Sequence, residues 1–199
     1  MNQNVWNHFQ VITRHKWEVM KNCFRMGLYK QGLLHDLSKY SPEEFKMGVR
    51  YFQGTRSPNA AEREEKGYST AWMHHKGRNK HHFEYWTDVS KDKSCLVGVE
   101  MPPRYLAEKF ADRVAASKIY KGKAYTDATS LEYLKKGKDY TLMHPATYRQ
   151  LLFLLTMLAE KGETKTFRYI RKNVLQNSKK SKKTEKTRKL TRNKGKNPK

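Results

Sequence analysis

The sequence predicts an all-α fold, one helical bundle over residues 1–175 followed by a disordered Lys/Arg-rich tail over residues 176–199. Three observations predict it. Apolar side chains recur at helical intervals in successive stretches between residues 4 and 174. Starts and stops flank those stretches, as at Gly27, Ser41-Pro42, Pro102-Pro103 and Gly162. A chain of 199 residues suits one domain, and from Lys179 onward it has almost no apolar side chains, so burial there cannot offset the entropy of ordering.

The first helix spans about Asn4 to Met26, its inward stripe running through Val5, Phe9, Ile12, Val19 and Cys23. His8 and His15 lie near that stripe, seven residues apart and so on nearly one side; His8 reads as a packing or surface residue. A second helix is expected from Leu28 to Lys39, where Gly32 costs about 1 kcal/mol against Ala unless close packing needs the missing side chain. Ser41-Pro42-Glu43-Glu44 then starts a third, with a hydroxyl cap, Pro in the first turn and acids at the positive dipole end. Capping accounts for both glutamates, with support of a metal ligand the alternative for Glu44.

Residues 54–67 read as a loop and a short exposed helix, and Tyr68 to His75 as another helix. Gly77 and Asn79 interrupt the pattern before His81, so His74 and His75 are separated by a turn from His81 and His82. Residues 88–99 read as loop. A long helix follows from Arg104 to about Tyr120 and carries Asp112; a short one starts at Ser130. The most apolar helix, Ala146 to Lys161, should be central, with His144 as an end contact. A last helix, Lys165 to Val174, should pack back on the bundle.

The formal net charge of +23 points to anionic partners, and residues 171–199 carry about half of it, a composition that binds nucleic acid by counterion release. Two cysteines, Cys23 and Cys95, are too few for a disulfide framework and fit a reducing cytoplasm. The N-terminal residues lack the pattern of a secretion signal, and the longest apolar run, Leu151 to Ala159, is too short to span a bilayer. No membrane partner is expected.

Chemistry concentrates in Gly32-Leu33-Leu34-His35-Asp36-Leu37-Ser38-Lys39-Tyr40. On a continuous helix His35 and Asp36 project side by side and Lys39 follows on the same face, so all three can line one pocket. Imidazole with carboxylate suits a divalent cation, with manganese, iron, zinc, magnesium, cobalt and nickel all compatible; an ammonium alongside suits phosphate. The His pairs either side of the turn can also bring imidazoles onto a cation. Adjacent helical residues diverge by about 100°, so one of each pair should point inward, and His75 and His81 are the choice. That leaves His74, His82 and Glu84 as residues supporting the ligands, with Glu84 orienting an imidazole, and Arg78 and Asn79 to fix the turn or contact phosphate. Trp72, Tyr85 and Trp86 read as walls of the site.

The order His15, His35-Asp36, His cluster, Asp112, with Lys39 completing His-Asp-x-x-Lys, resembles the HD-domain superfamily of metal-dependent phosphohydrolases. The match is closer to an uncharacterised family of bacterial and phage proteins with that superfamily's look. It rests on His15-Lys16, the stretch from His35 to Phe45, the stretch from His74 to Trp86, Met101-Pro102 and Asp112-Arg113, over roughly residues 3 to 140. The resemblance implies an HD-like bundle in which His15, His35, Asp36 and Asp112 hold one cation. It further implies that Asp36 can bridge to a second cation on His75 and His81, giving one or two per chain. Asp36 and Lys39 would serve catalysis, with Lys39, Arg78 and Asn79 meeting the substrate. The expected function is phosphoester hydrolysis by a metal-activated water, acting on a phosphorylated small molecule, foremost a nucleotide. The alternatives are a nuclease acting on single-stranded nucleic acid, and a non-catalytic nucleic-acid or partner-binding module with a structural metal.

Overall fold

The computed structural model describes residues 3–137 and 142–176. The expected tail falls almost wholly outside them, as does most of Gly137 to Asp139, which the sequence reads as interrupting the short helix begun at Ser130. Among the described residues, eight α-helices carry the fold: α1 (Gln3–Met26), α2 (Tyr29–Leu34), α3 (Pro42–Arg50), α4 (Pro58–Lys66), α5 (Thr70–Arg78), α6 (Pro103–Lys121), α7 (Thr129–Lys136) and α8 (Pro145–Tyr169). α8 breaks its helical dihedrals at Gly162 and runs on as a π-helical segment, Ile170–Gln176. Among the described residues the fold is all-α apart from one small hairpin. Within residues 88–99, read as loop, β1 (Thr87–Val89) pairs antiparallel with β2 (Leu96–Gly98), Asp88 opposite Val97. Strands this short and exposed offer no alternation to read. No helix among the described residues is long and apolar enough to cross a membrane.

The apolar core forms where α1, α6 and α8 meet. Val19, Cys23 and Met26 of α1 pack with Leu106, Phe110 and Val114 of α6 and with Leu151, Leu154, Leu155 and Leu158 of α8. Phe110 meets Phe167 edge-on, ring centroids 5.7 Å apart. α6 is buried on more than its apolar side, since Glu108 and Lys109 are also almost fully covered. It is therefore the wall between the apolar core and a polar interior.

The second helix departs from expectation. It ends at Leu34; His35 is extended, Asp36 is left-handed (φ 53, ψ 26), and Leu37–Tyr40 forms a separate 3₁₀ turn. The Lys16 ammonium supplies a reason by taking the carbonyls of Leu33 (2.6 Å) and His35 (3.0 Å), which a continuing helix would need. Asp tolerates the left-handed region better than most side chains, at a cost of order 1–3 kcal/mol. A break, not a helical face, thus brings His35 and Asp36 together. Gly32 earns its place in α2 by proximity: a Cβ there would lie 3.0 Å from Cys23 Cβ and 3.2 Å from the Met20 carbonyl.

Candidate metal centre

Five stretches deliver ionisable side chains to one buried point. α1 contributes His15; the break after α2 contributes His35 and Asp36; α5 contributes His75; the turn beyond it contributes His81 and His82; α6 contributes Glu108 and Asp112. The Asp36 carboxylate is the hub. Its Oδ2 lies 3.3 Å from His35 Nε2 and 3.7 Å from His15 Nε2, while His15 Nε2 is 3.0 Å from Asp112 Oδ1. Its Oδ1 lies 3.4 Å from His75 Nε2 and 3.5 Å from His81 Nε2. Two groups of candidate ligands share Asp36, His15/His35/Asp36/Asp112 and Asp36/His75/His81/His82, and a third joins His35, His81 and Glu108, each with donor atoms within 4.8 Å of one another.

Carboxylates behind the imidazoles fix their orientation. Glu108 Oε1 stands 3.0 Å from His35 Nδ1 and 3.4 Å from His81 Nδ1, and its other oxygen accepts from Gln31 at 3.0 Å. Glu44 holds two more, His74 Nδ1 at 2.7 Å and His75 Nδ1 at 2.8 Å. A carboxylate at Nδ1 favours the proton there and leaves the Nε2 lone pair aimed at the shared point, the usual outer arrangement of a metal-bound histidine.

Whether these residues fit a cation is tested by the atoms left over. His15 Nε2, His35 Nε2, His81 Nε2 and both oxygens of Asp36 are buried without a hydrogen-bond partner. His15 Nε2 and Asp112 approach closely, and Lys39 Nζ lies 2.7 Å from Asp36 Oδ2, yet neither contact has the direction of a hydrogen bond. Each buried unsatisfied polar atom costs about 1–3 kcal/mol, so five converging on one place call for a shared partner. Imidazole nitrogen with carboxylate oxygen is a donor set for a divalent transition metal.

Charge states agree with that donor set. Burial pushes the Asp36 carboxyl up, but His35, Lys39 and His75 hold it well below the ordinary range. Burial also opposes ionisation of Asp112, which His15 and His35 keep well below its ordinary value. His15 is lowered by burial and then by Lys39, His81 by burial and then by His35, and His82 by burial and by its histidine neighbours. His35 is the exception: burial lowers it, but Asp36, Asp112 and Glu108 raise it well above the ordinary value. A proton on His35 therefore takes the role a cation would fill, and metal binding would release it.

Several sequence readings change here. Glu84 does not orient an imidazole: its charge acts on Lys109, and one of its oxygens is buried without a partner. Glu108 has that role instead, and its spacing of four before Asp112 on a helix was the available signal. Glu44 is more than a capping residue; its backbone N–H donates to Ser41 Oγ at 3.4 Å while its carboxylate turns to the histidines. His82 lies within a ligand group, its Nε2 2.9 Å from that of His75, whereas His74 stays behind, on Glu44. Asn79 donates to Ser38 Oγ and to the His75 carbonyl, both at 2.8 Å, and Arg78 reaches back to the His74 carbonyl at 3.3 Å. These partners tie Asn79 and Arg78 to the turn.

The centre borders a cleft of about 610 Å³, to which His15, Lys39, His75, His82 and Asp112 contribute. Phe52, Trp72, Tyr120 and Tyr133 also line it. The volume falls in the range of small-molecule sites.

The chain belongs to a family of unknown function, DUF5662, whose model matches residues 4–157. That span takes in every element supplying the centre. No curated protein and no solved structure matches the chain.

Proposed function

We propose that the protein is a metal-dependent phosphohydrolase, most naturally of small nucleotides, working in the cytoplasm. The observation that carries the reading is the set of unsatisfied Nε2 and carboxylate atoms beside a cleft that Lys39 also lines. A divalent cation held there supplies charge neutralisation and activates water as a nucleophile. His15, His35, Asp36 and Asp112 would hold it, and Asp36 Oδ1 with His75, His81 and His82 offers a second position. Glu108 and Glu44 fix the imidazoles from behind. Lys39, held protonated by Asp36 and Asp112 against the effect of burial, offsets the charge of a phosphate entering from the cleft. The order of these residues along the chain also resembles the HD-domain superfamily, a likeness of arrangement that supports hydrolysis by analogy alone.

A nuclease is the second reading, favoured by the positive charge of residues 171–199. A closed structural metal site fits less well with ligand residues that face a cleft.

The test is metal content of protein purified without chelator, beside the His35→Ala/Asp36→Ala double variant, with both assayed on nucleotides and single-stranded DNA. Metal and phosphate release in the wild type alone is the expected result. Metal without turnover would leave a structural site, and no metal after supplementation with manganese, iron and zinc would return the histidines to packing.

A further inference from the structure

His8 takes no part in the centre, yet it lines the same cleft. It stands seven residues before His15 on α1, hence on nearly the same side and roughly 10 Å away along the axis. The imidazole is 5 % exposed, with the rings of Phe45 and Phe52 at 5.3 and 5.8 Å. It also presses on α3 where that helix carries Gly48. A Cβ at residue 48 would fall 2.2 Å from His8 Nε2 and 2.5 Å from Cε1. Gly48 lies inside a helix, where glycine costs about 1 kcal/mol against Ala. Its close neighbour explains the cost: it makes room for this ring.

Packing alone does not call for a histidine. Among the described residues the imidazole makes no hydrogen bond, and its Nδ1 is sealed without a partner, a loss of about 1–3 kcal/mol that Phe would avoid. Burial, and then the charge of Lys39, lowers its pKa to about 4, so at neutral pH the ring has one donor and one acceptor and no charge. That is the wrong chemistry for another phosphate contact and the right one for a neutral polar edge. Lys39, 2.7 Å from Asp36, lines the same cleft as His8, so the ammonium that would neutralise a phosphate opens onto the space this ring borders. His8 and Gly48, against which its Nε2 lies, both line the cleft.

We infer that His8 reads the group esterified to the phosphate, and that this group carries a flat ring with a hydrogen-bonding edge, as a nucleoside does, seated against Phe52. The inference rests on the phosphohydrolase reading for its phosphate end, but binding alone can test it.

The experiment compares full-length wild type, His8→Phe and Gly48→Ala, loaded with manganese. Calorimetry gives Kd for the four ribonucleoside 5′-monophosphates and for ribose 5-phosphate, and kcat/KM is measured on the same compounds. Wild type should prefer at least one nucleoside monophosphate over ribose 5-phosphate, and His8→Phe should cut that preference about tenfold or more, the worth of one hydrogen bond with its buried partner. Gly48→Ala, which drives a methyl into the imidazole, should do the same, and a melting temperature no lower than wild type would show that the loss is not unfolding. A preference that survives both variants, or a wild type that binds no nucleoside monophosphate, overturns the inference and leaves His8 as packing. Lost preference in binding without any turnover would sustain His8's role while sinking hydrolysis; turnover with the preference untouched would do the reverse.

Discussion

Two buried carboxylates, Glu62 and Asp36, have almost the same exposure, 1 % and 2 %, and opposite surroundings. Glu62 closes the start of α5: it accepts from Ser69 Oγ at 2.6 Å, Thr70 Oγ1 at 2.7 Å, the Thr70 and Ala71 backbone N–H groups, and Lys66. Its partners come from the chain itself. Asp36 has Lys39 beside it but no hydrogen bond to either oxygen, and imidazole nitrogens gather round it. Burial raises both groups, and neighbours outweigh it in both. For Glu62 those are mainly hydroxyl and backbone donors, which complete a structure; for Asp36 they are positive charges, the kind of partner a cation also supplies. Depth therefore does not distinguish the two. What sets Asp36 apart is depth without donors.

The comparison breaks most sharply at Asp36. Asp36→Asn should lose bound metal and reduce phosphoester turnover by about 10³-fold, the upper range for one electrostatic contact. A variant retaining both by elemental analysis and phosphate assay would make Asp36 another Glu62. Next in size is chelation. If the centre needs a cation, removing one present at a hundred times its Kd should lower unfolding free energy by about 3 kcal/mol, read from urea denaturation with and without metal. Glu108→Gln, which weakens the hold on His35 and His81, should cost about 10–100-fold in metal affinity by competition titration. Glu84→Gln should leave that affinity unchanged.

The smallest effect belongs to the satisfied side. Glu62→Gln should destabilise by about 1–2 kcal/mol at pH 7 without altering metal content. Burial raises the Glu62 carboxyl and the Ser69 and Thr70 bonds lower it, leaving it at about 2 against an ordinary 4.5. Its stabilisation is therefore full above about pH 4.5 and disappears as pH falls toward 2. The difference between variant and wild type should close over that window in denaturation curves, and a constant difference would mean that the charge is not what matters.

The helices were mostly legible because each has its own period and punctuation, as with Ser41-Pro42 before α3. The break at His35 was not, because Leu33, Leu34 and Leu37 continue an apolar pattern although all three are exposed, at 55, 52 and 48 %. Lys16, the residue opposing the helix there, acts across a long sequence separation that no local pattern records. For the centre, donor chemistry pointed to His35, Asp36, His75 and His81, and the family resemblance added His15 and Asp112; the fold brings all six together. Glu108 escaped notice because it lies in a stretch already explained by the apolar stripe of α6, and Glu44 was read as a capping residue, with support of a ligand only the alternative, because Ser41-Pro42 already accounted for it. His8 escaped because nothing in sequence shows that Gly48 faces it.

The candidate ligands come from the first helix, the break after the second, the fifth helix with its following turn, and the sixth. The set His15, His35, Asp36 and Asp112 draws on the first helix, the break and the sixth helix, so it exists only after most of the bundle has assembled. A cation bound there would join long chain loops at one point, and opening any of them would mean giving up part of its coordination. The metal would then act as a clasp on the finished molecule rather than a nucleus for its folding, slowing unfolding far more than it hastens assembly.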